Sequence, residues 1–150
     1  MHVPGDGALI LRALVGFALA FVVGFERELR GSQAGDRTFA VIGTAAAAIA
    51  AVTGPISPQA LAGIVTGVGF IGAGVILRAP DDQRLHGVTT AATVFGVAGV
   101  GVVVGLGHLA VGAFVAALLL LALEVRYLPG VRLLDARRYR DRFSQDDEAR

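Results

Sequence analysis

Residues 38–77 read TFAVIGTAAAAIAAVTGPISPQALAGIVTGVGFIGAGVIL, and across these 40 positions no side chain is ionisable. Arg37 precedes the tract and Arg78 follows it. As a helix, at about 1.5 Å per residue, it would extend roughly 60 Å, twice the roughly 30 Å hydrocarbon core of a bilayer. Near its middle, Thr53-Gly-Pro-Ile-Ser-Pro-Gln59 places two prolines and a glycine in seven positions, so the tract reads as two helices joined by a turn. A second tract repeats the design. Between His86 and Glu124 the only ionisable side chain is His108, within the tight turn Gly105-Leu-Gly-His108.

The composition agrees. The chain is 55% apolar and only 17% charged, with a mean hydropathy of +0.70. A soluble domain of 150 residues could not hide that much apolar surface from water. The fold class read from the sequence is therefore an all-α membrane protein, a polytopic bundle of about five transmembrane helices. The expected spans are 8–25, 38–52, 60–77, 88–104 and 109–123. Residues 1–128 form the transmembrane domain and 129–150 a basic cytoplasmic tail. The segment before the first span has no positive residue and no small-residue cleavage site follows that span, so it reads as a retained helix. Arg12, in its first turns, reads as an anchor reaching the lipid headgroups on a long stem. Without cysteine, disulfides and thiolate metal sites are excluded.

Arginine placement gives an orientation. With the N-terminus outside, the segments after spans one and three and the tail hold three, two and seven arginines, and all face the cytoplasm. The opposite side holds only Arg12. Five spans with a cytoplasmic C-terminus satisfy this alternation; four or six break it. The tail cluster Arg132, Arg137, Arg138, Arg140 and Arg142 suits an anionic lipid surface. The closing acids Asp146, Asp147 and Glu148 argue against nucleic acid as a partner.

Three segments carry more chemistry than anchoring requires. Gly24-Phe-Glu-Arg-Glu28 is followed by Ala34-Gly-Asp-Arg-Thr38, with Asp36 read as an N-cap of the second span. Glu26, Glu28 and Asp36 could supply hard oxygen ligands to Mg²⁺. The same residues could instead form a salt-bridged hairpin, since Glu26 and Arg30 stand at the favourable i,i+4 spacing. Arginines beside every carboxylate favour the hairpin. The third span carries Gly63, Gly67, Gly69, Gly72 and Gly74. These read as a close-packing face or as a locally unwound helix lining a polar site, with close packing preferred. The string Gly67, Gly69, Gly72 has the G-x-G-x-x-G pattern but no preceding strand, so it is no nucleotide loop. In the fourth span, Thr89, Thr90 and Thr93 read as hydroxyls bonded back to their own helix or across to the glycine-rich span. Gly96, Gly101 and Gly105 suggest another close-packed face.

These segments, in this order, resemble the MgtC/SapB family of bacterial integral membrane proteins. The resemblance rests on residues 24–28, 34–38, Gly67-Val-Gly-Phe-Ile-Gly-Ala-Gly-Val-Ile76 and Gly87-Val-Thr-Thr-Ala-Ala-Thr93. The family's signature positions would fall on Glu26, Arg27, Gly35, Arg37, Thr38, Gly67, Gly69, Gly72, Gly74, Arg78 and Thr90. Phe95 stands where the family typically has tryptophan. Longer members carry a soluble domain of ACT-like fold after the last span, whereas this sequence ends at Arg150. The resemblance implies a bacterial inner-membrane location and a part in adaptation to low magnesium. It also implies, for some members, modulation of other membrane machines such as the F-type ATP synthase.

Two functions follow as expectations. One is a non-enzymatic membrane regulator acting through helix contacts, because no ionisable group lies at mid-membrane depth where transporters usually place one. The other is a Mg²⁺ or other cation transporter or channel built by a homo-oligomer, since five short spans make a thin bundle. An enzyme has no support: there is no nucleophile–base pair and no HExxH. The orientation is directly testable. A topology reporter fused after Arg142 is expected to be active only in the cytoplasm; periplasmic activity would overturn the five-span count.

Overall fold

The computed structural model describes residues 5–54, 56–76 and 86–125. It contains helices α1 (Asp6–Leu29), α2 (Asp36–Thr53), α3 (Pro58–Ile76), α4 (Val88–Gly105) and α5 (Leu109–Glu124), and no strand among the described residues. The first four are each long and apolar enough to cross a membrane. α5 is apolar but has 16 residues, roughly 24 Å of helix. The chain divides into two compact units, 1–119 and 120–150. The second is described only over 120–125, the end of α5 and the residue beyond it. The basic tail lies outside the described residues.

Within the first unit α2 is the central helix, packed most extensively against α1 and α4. Its alanine-rich sequence explains why. Alanine is the best helix former and brings least bulk, so two neighbours can approach its backbone. Ala46, Ala47, Ala50 and Ala51 are buried, and so is Phe39 at the charged end. On one side, a Cβ added at Gly16 would lie 2.7 Å from Ala47 Cβ and 3.1 Å from the Gly43 carbonyl oxygen. On the other, a Cβ at Gly101 would lie 2.6 Å from the same Gly43 oxygen. A Cβ at Gly105 would collide with the Ala47 oxygen. Helices at this spacing touch backbone to backbone.

These contacts fix direction. Gly16 meets Ala47 while Gly24 meets Phe39, so α1 and α2 are antiparallel; Gly101 meets Ala46 and Gly105 meets Ala50, so α2 and α4 are parallel. Gly72 lies on Ala91 and Gly87 on Val75, so α3 runs against α4. Gly112 meets Val104 and Gly96 meets Leu119, so α5 does too. The up-and-down order puts Arg27, Arg30 and Arg37 at one end of the bundle and Arg12 at the other. Of the glycines expected to form a face on α4, Gly101 and Gly105 pack on α2, and Gly96 faces α5.

Both α1 and α4 stop at a glycine with positive φ, Gly31 (68°) and Gly107 (98°). At each, the amide two residues past the last cap position reaches back: Ser32 N donates to Arg27 O at 3.0 Å, and His108 N to Val103 O at 3.1 Å. With the inner bonds from Gly31 N to Glu28 O and from Gly107 N to Val104 O, each end is a Schellman motif. Arg12 adds to the second end. Its Nη1 donates to Gly105 O at 2.9 Å, satisfying a last-turn carbonyl of α4 where the helix dipole favours a cation. The sequence predicts a headgroup anchor at Arg12; the structure gives this side chain a cap to hold.

Three expectations change. α1 runs to Leu29 rather than Phe25, so the first charges belong to the helix. Gly35, not Asp36, precedes α2: Asp36 is its first residue, and Asp36 Oδ1 accepts the neighbouring Arg37 amide at 2.6 Å. α3 is continuous and shows no unwinding at its glycines.

Because a side chain at Gly101 would enter the backbone of α2, Gly101→Leu is expected to destabilise the bundle by about 1–3 kcal/mol. Gly99, with no described neighbour near its Cβ position, supplies the control: Gly99→Leu should stay within about 0.5 kcal/mol. Equilibrium unfolding in mixed micelles reads both; equal effects would refute backbone contact as the organising feature.

Candidate functional site at the charged end

The end of the bundle formed by the α1 C-terminus, the 30–35 turn and the N-termini of α2 and α4 gathers most of the residues singled out from the sequence. Glu26 and Arg27 are buried, at 8% and 9% exposure. Such burial is stable only if the charges are paired, and they are. Arg27 Nε and Nη2 each approach one Glu26 carboxylate oxygen at 2.5 Å. Arg30 Nε stands 3.5 Å from Glu26 Oε1, at the i,i+4 spacing read from the sequence. One carboxylate therefore faces two guanidinium groups, and the bidentate geometry of the first is the stronger kind of pair.

Glu28 turns towards α2. Its carboxylate lies where a Cβ at position 35 would project, so glycine at 35 makes room for it beside the N-terminus of α2. That end carries the positive pole of the helix dipole, a favourable place for an acid. Arg37 and Thr38 are exposed on the first turn of α2. Ser32 Oγ and Thr90 Oγ1 are 2.9 Å apart and tie the turn to α4. Thr93 donates to Thr89 O at 2.7 Å, the back-bonded alternative, while Thr89 is exposed. An opening of about 570 Å³ at the same end is lined by Gln33, Ile71, Gly74 and Val75. It brings the end of the glycine-rich helix to the turn.

Glu26, Arg27, Glu28, Gly35, Arg37, Thr38 and Thr90 thus belong to one end, with Gly74 bordering its opening. The rest of the glycine set does not join them. Among the described residues, Gly67 and Gly69 have nothing within 4 Å of a Cβ position, and Gly72 makes ordinary contact with Ala91 at 3.6 Å. Of this set, only Gly72 contacts another helix among the described residues. Arg78 lies outside the described residues. Among the described residues no group of three or more His, Asp or Glu side chains could hold a metal ion. Sequence reading missed Ser32, a lone serine in a polar stretch with no periodic signal.

An all-helical bundle with several membrane-length apolar helices and a charged, hydrogen-bonded end defines a multi-pass membrane protein. The sequence model of the MgtC family matches residues 13–128, and the chain belongs to that family. It is 43% identical over 103 residues to Protein MgtC of Salmonella typhimurium (strain LT2), covering 66% of this chain and 44% of the relative. It is 34% identical over 139 residues to the "Putative magnesium transporter YhiD" of Escherichia coli (strain K12), covering 84% and 64%. To Protein SapB of Bacillus subtilis (strain 168) it is 37% identical over 139 residues, covering 84% and 59%. The chain thus spans roughly half the length of these relatives. No solved structure matches it.

The buried pair gives a quantitative expectation. Glu26→Ala or Arg27→Ala leaves a charge without its nearest partner and should cost about 3 kcal/mol or more. The double substitution should cost less than the sum by about 0.5–3 kcal/mol. Additive losses in a double-mutant cycle of unfolding would show that the pair is not coupled.

Proposed function

We propose that the chain is a multi-pass protein of the bacterial inner membrane, N-terminus outside and C-terminus in the cytoplasm, that serves magnesium homeostasis as a non-enzymatic regulator. It acts on other membrane proteins through helix contacts and its charged cytoplasmic end; a complex such as the F-type ATP synthase is the kind of target this reading implies. The arginine distribution supports the orientation, since Arg27, Arg30 and Arg37 share one end. The family and the magnesium in the E. coli relative's name support the physiological setting.

The observation that carries the regulator reading is the state of Glu26. Its two oxygens face Arg27 and Arg30, so a hydrated Mg²⁺ would have to displace a bidentate guanidinium to reach it. Magnesium also dehydrates reluctantly. Carboxylates held in this way orient helices rather than pass ions. The second reading is a Mg²⁺ or other cation transporter or channel formed by an oligomer, with Glu26, Glu28 and Asp36 as ligands. The name of the E. coli relative favours it.

Purified protein in sealed liposomes separates the two. A regulator gives no Mg²⁺ flux above protein-free vesicles. A saturable flux that Glu26→Gln abolishes, with the helical content unchanged, would overturn the regulator and establish the transporter.

A further inference from the structure

Thr90 differs from four other threonines of the bundle. Thr44, Thr53, Thr66 and Thr93 each donate to the carbonyl four residues earlier, at 2.7–3.0 Å, so each hydroxyl is satisfied within its own helix. Thr90 is buried, at 7% exposure, and stands in the first turn of α4, where the chain has just turned at Gly87 (φ 84°). Its hydroxyl bonds outward instead, to Ser32 Oγ at 2.9 Å. A buried hydroxyl deprived of its partner is costly, so this bond ties the 30–35 turn to α4.

Two bonds converge on Ser32. Its amide closes the last turn of α1 on Arg27 O, and its hydroxyl reaches Thr90. The next residue, Gln33, is exposed and borders the opening whose other described wall is Ile71, Gly74 and Val75 of α3. The start of α4 holds that wall as well, with Gly87 against Val75 and Ala91 against Gly72. The Ser32–Thr90 bond thus joins the two sides of the opening.

Strength decides which bond at this end can be a moving part. The charge-assisted pair of Glu26 and Arg27 is roughly twice as strong as a neutral hydrogen bond, and it is enclosed. It stays shut. A neutral hydroxyl pair contributes little net and can open reversibly. Gly31, at φ 68°, and Gly35 flank Ser32-Gln-Ala34, and glycine absorbs a backbone change at least steric cost. Ala34 is buried at 5% exposure, which confines the motion to residues 31–33. We propose that the Ser32–Thr90 bond is a latch. Closed, it keeps Gln33 at the mouth of the opening; released, it lets residues 31–33 swing aside and admits water to the end of α3. The latch does not depend on whether the chain regulates or transports.

The absence of cysteine makes the test clean. Gly74→Cys puts a thiol at the opening, where no described neighbour lies within 4 Å of its Cβ position. Gln59→Cys, exposed in the first turn of α3 at the opposite end, is the reference. A membrane-permeant maleimide reads both labelling rates in reconstituted vesicles. Ser32→Ala is expected to speed labelling of Gly74→Cys about fivefold, the effect of losing one such bond, and to leave Gln59→Cys unchanged. Thr90→Val should do the same, and combining the two should add less than about twofold, because they remove one bond. Ser32→Thr, which keeps the hydroxyl, should restore the original rate. Labelling of Gly74→Cys that neither Ser32→Ala nor Thr90→Val changes overturns the latch. An equal rise at Gln59→Cys also overturns it, since the whole bundle would then have loosened.

Discussion

The Gly43 carbonyl on α2 lies at contact distance from the backbones of two other helices, α1 at Gly16 and α4 at Gly101. Much else follows from that double approach. In lipid, apolar side chains gain nothing by leaving one hydrocarbon for another, so helices associate through packing and polar contacts between nearby backbones. Small residues at four-residue intervals on three helices satisfy this: Gly16, Ala20 and Gly24; Gly43, Ala47 and Ala51; Gly101 and Gly105. Once α1, α2 and α4 are stacked in this way, their ends are in register, and the chemistry at those ends is determined by where the chain turns.

The charged end shows how. Glu26 and Arg27 lie in the last two turns of α1, where the close approach of α1 to α2 at Gly24 helps enclose them. Enclosure demands pairing, and the pair then fixes the last turn of α1 so that Gly31 can close it and send Ser32 to Thr90. Packing, ion pairing and turn chemistry each require the others.

The helical, membrane-spanning character of the chain was legible from charge-free tracts and from proline and glycine at their middles. Those signals are long and have few competing explanations. The C-terminal extension of α1 was not legible, because a run of alternating charges reads as a solvated loop unless partners are known to neutralise them. The central place of α2 was also hidden. Alanine ranks low in hydropathy, so Ala45–Ala48 marks a short, weak span, although smallness is the property that lets two helices reach its backbone. Conversely, the density of glycines on α3 advertised close packing without naming the neighbour, and among the described residues only Gly72 has one. Of the site residues, Glu26 and Arg30 were readable because four-residue spacing is a local rule. The Ser32–Thr90 contact joins positions 58 apart and depends on a tertiary arrangement that no local rule encodes.

The bond from Arg12 to Gly105 joins residues 93 positions apart, and that separation is also a separation in time. At a synthesis rate of about 5–20 residues per second, the ribosome makes the carbonyl on the order of 5–20 s after the guanidinium. During that interval the first helix is already in the membrane with a cation near its leading edge and no protein acceptor for it. Water and headgroups hold the charge until α4 arrives. The nascent chain therefore completes this end of its bundle only when its fourth helix has been delivered, and the first arginine made waits for an acceptor made 93 residues later.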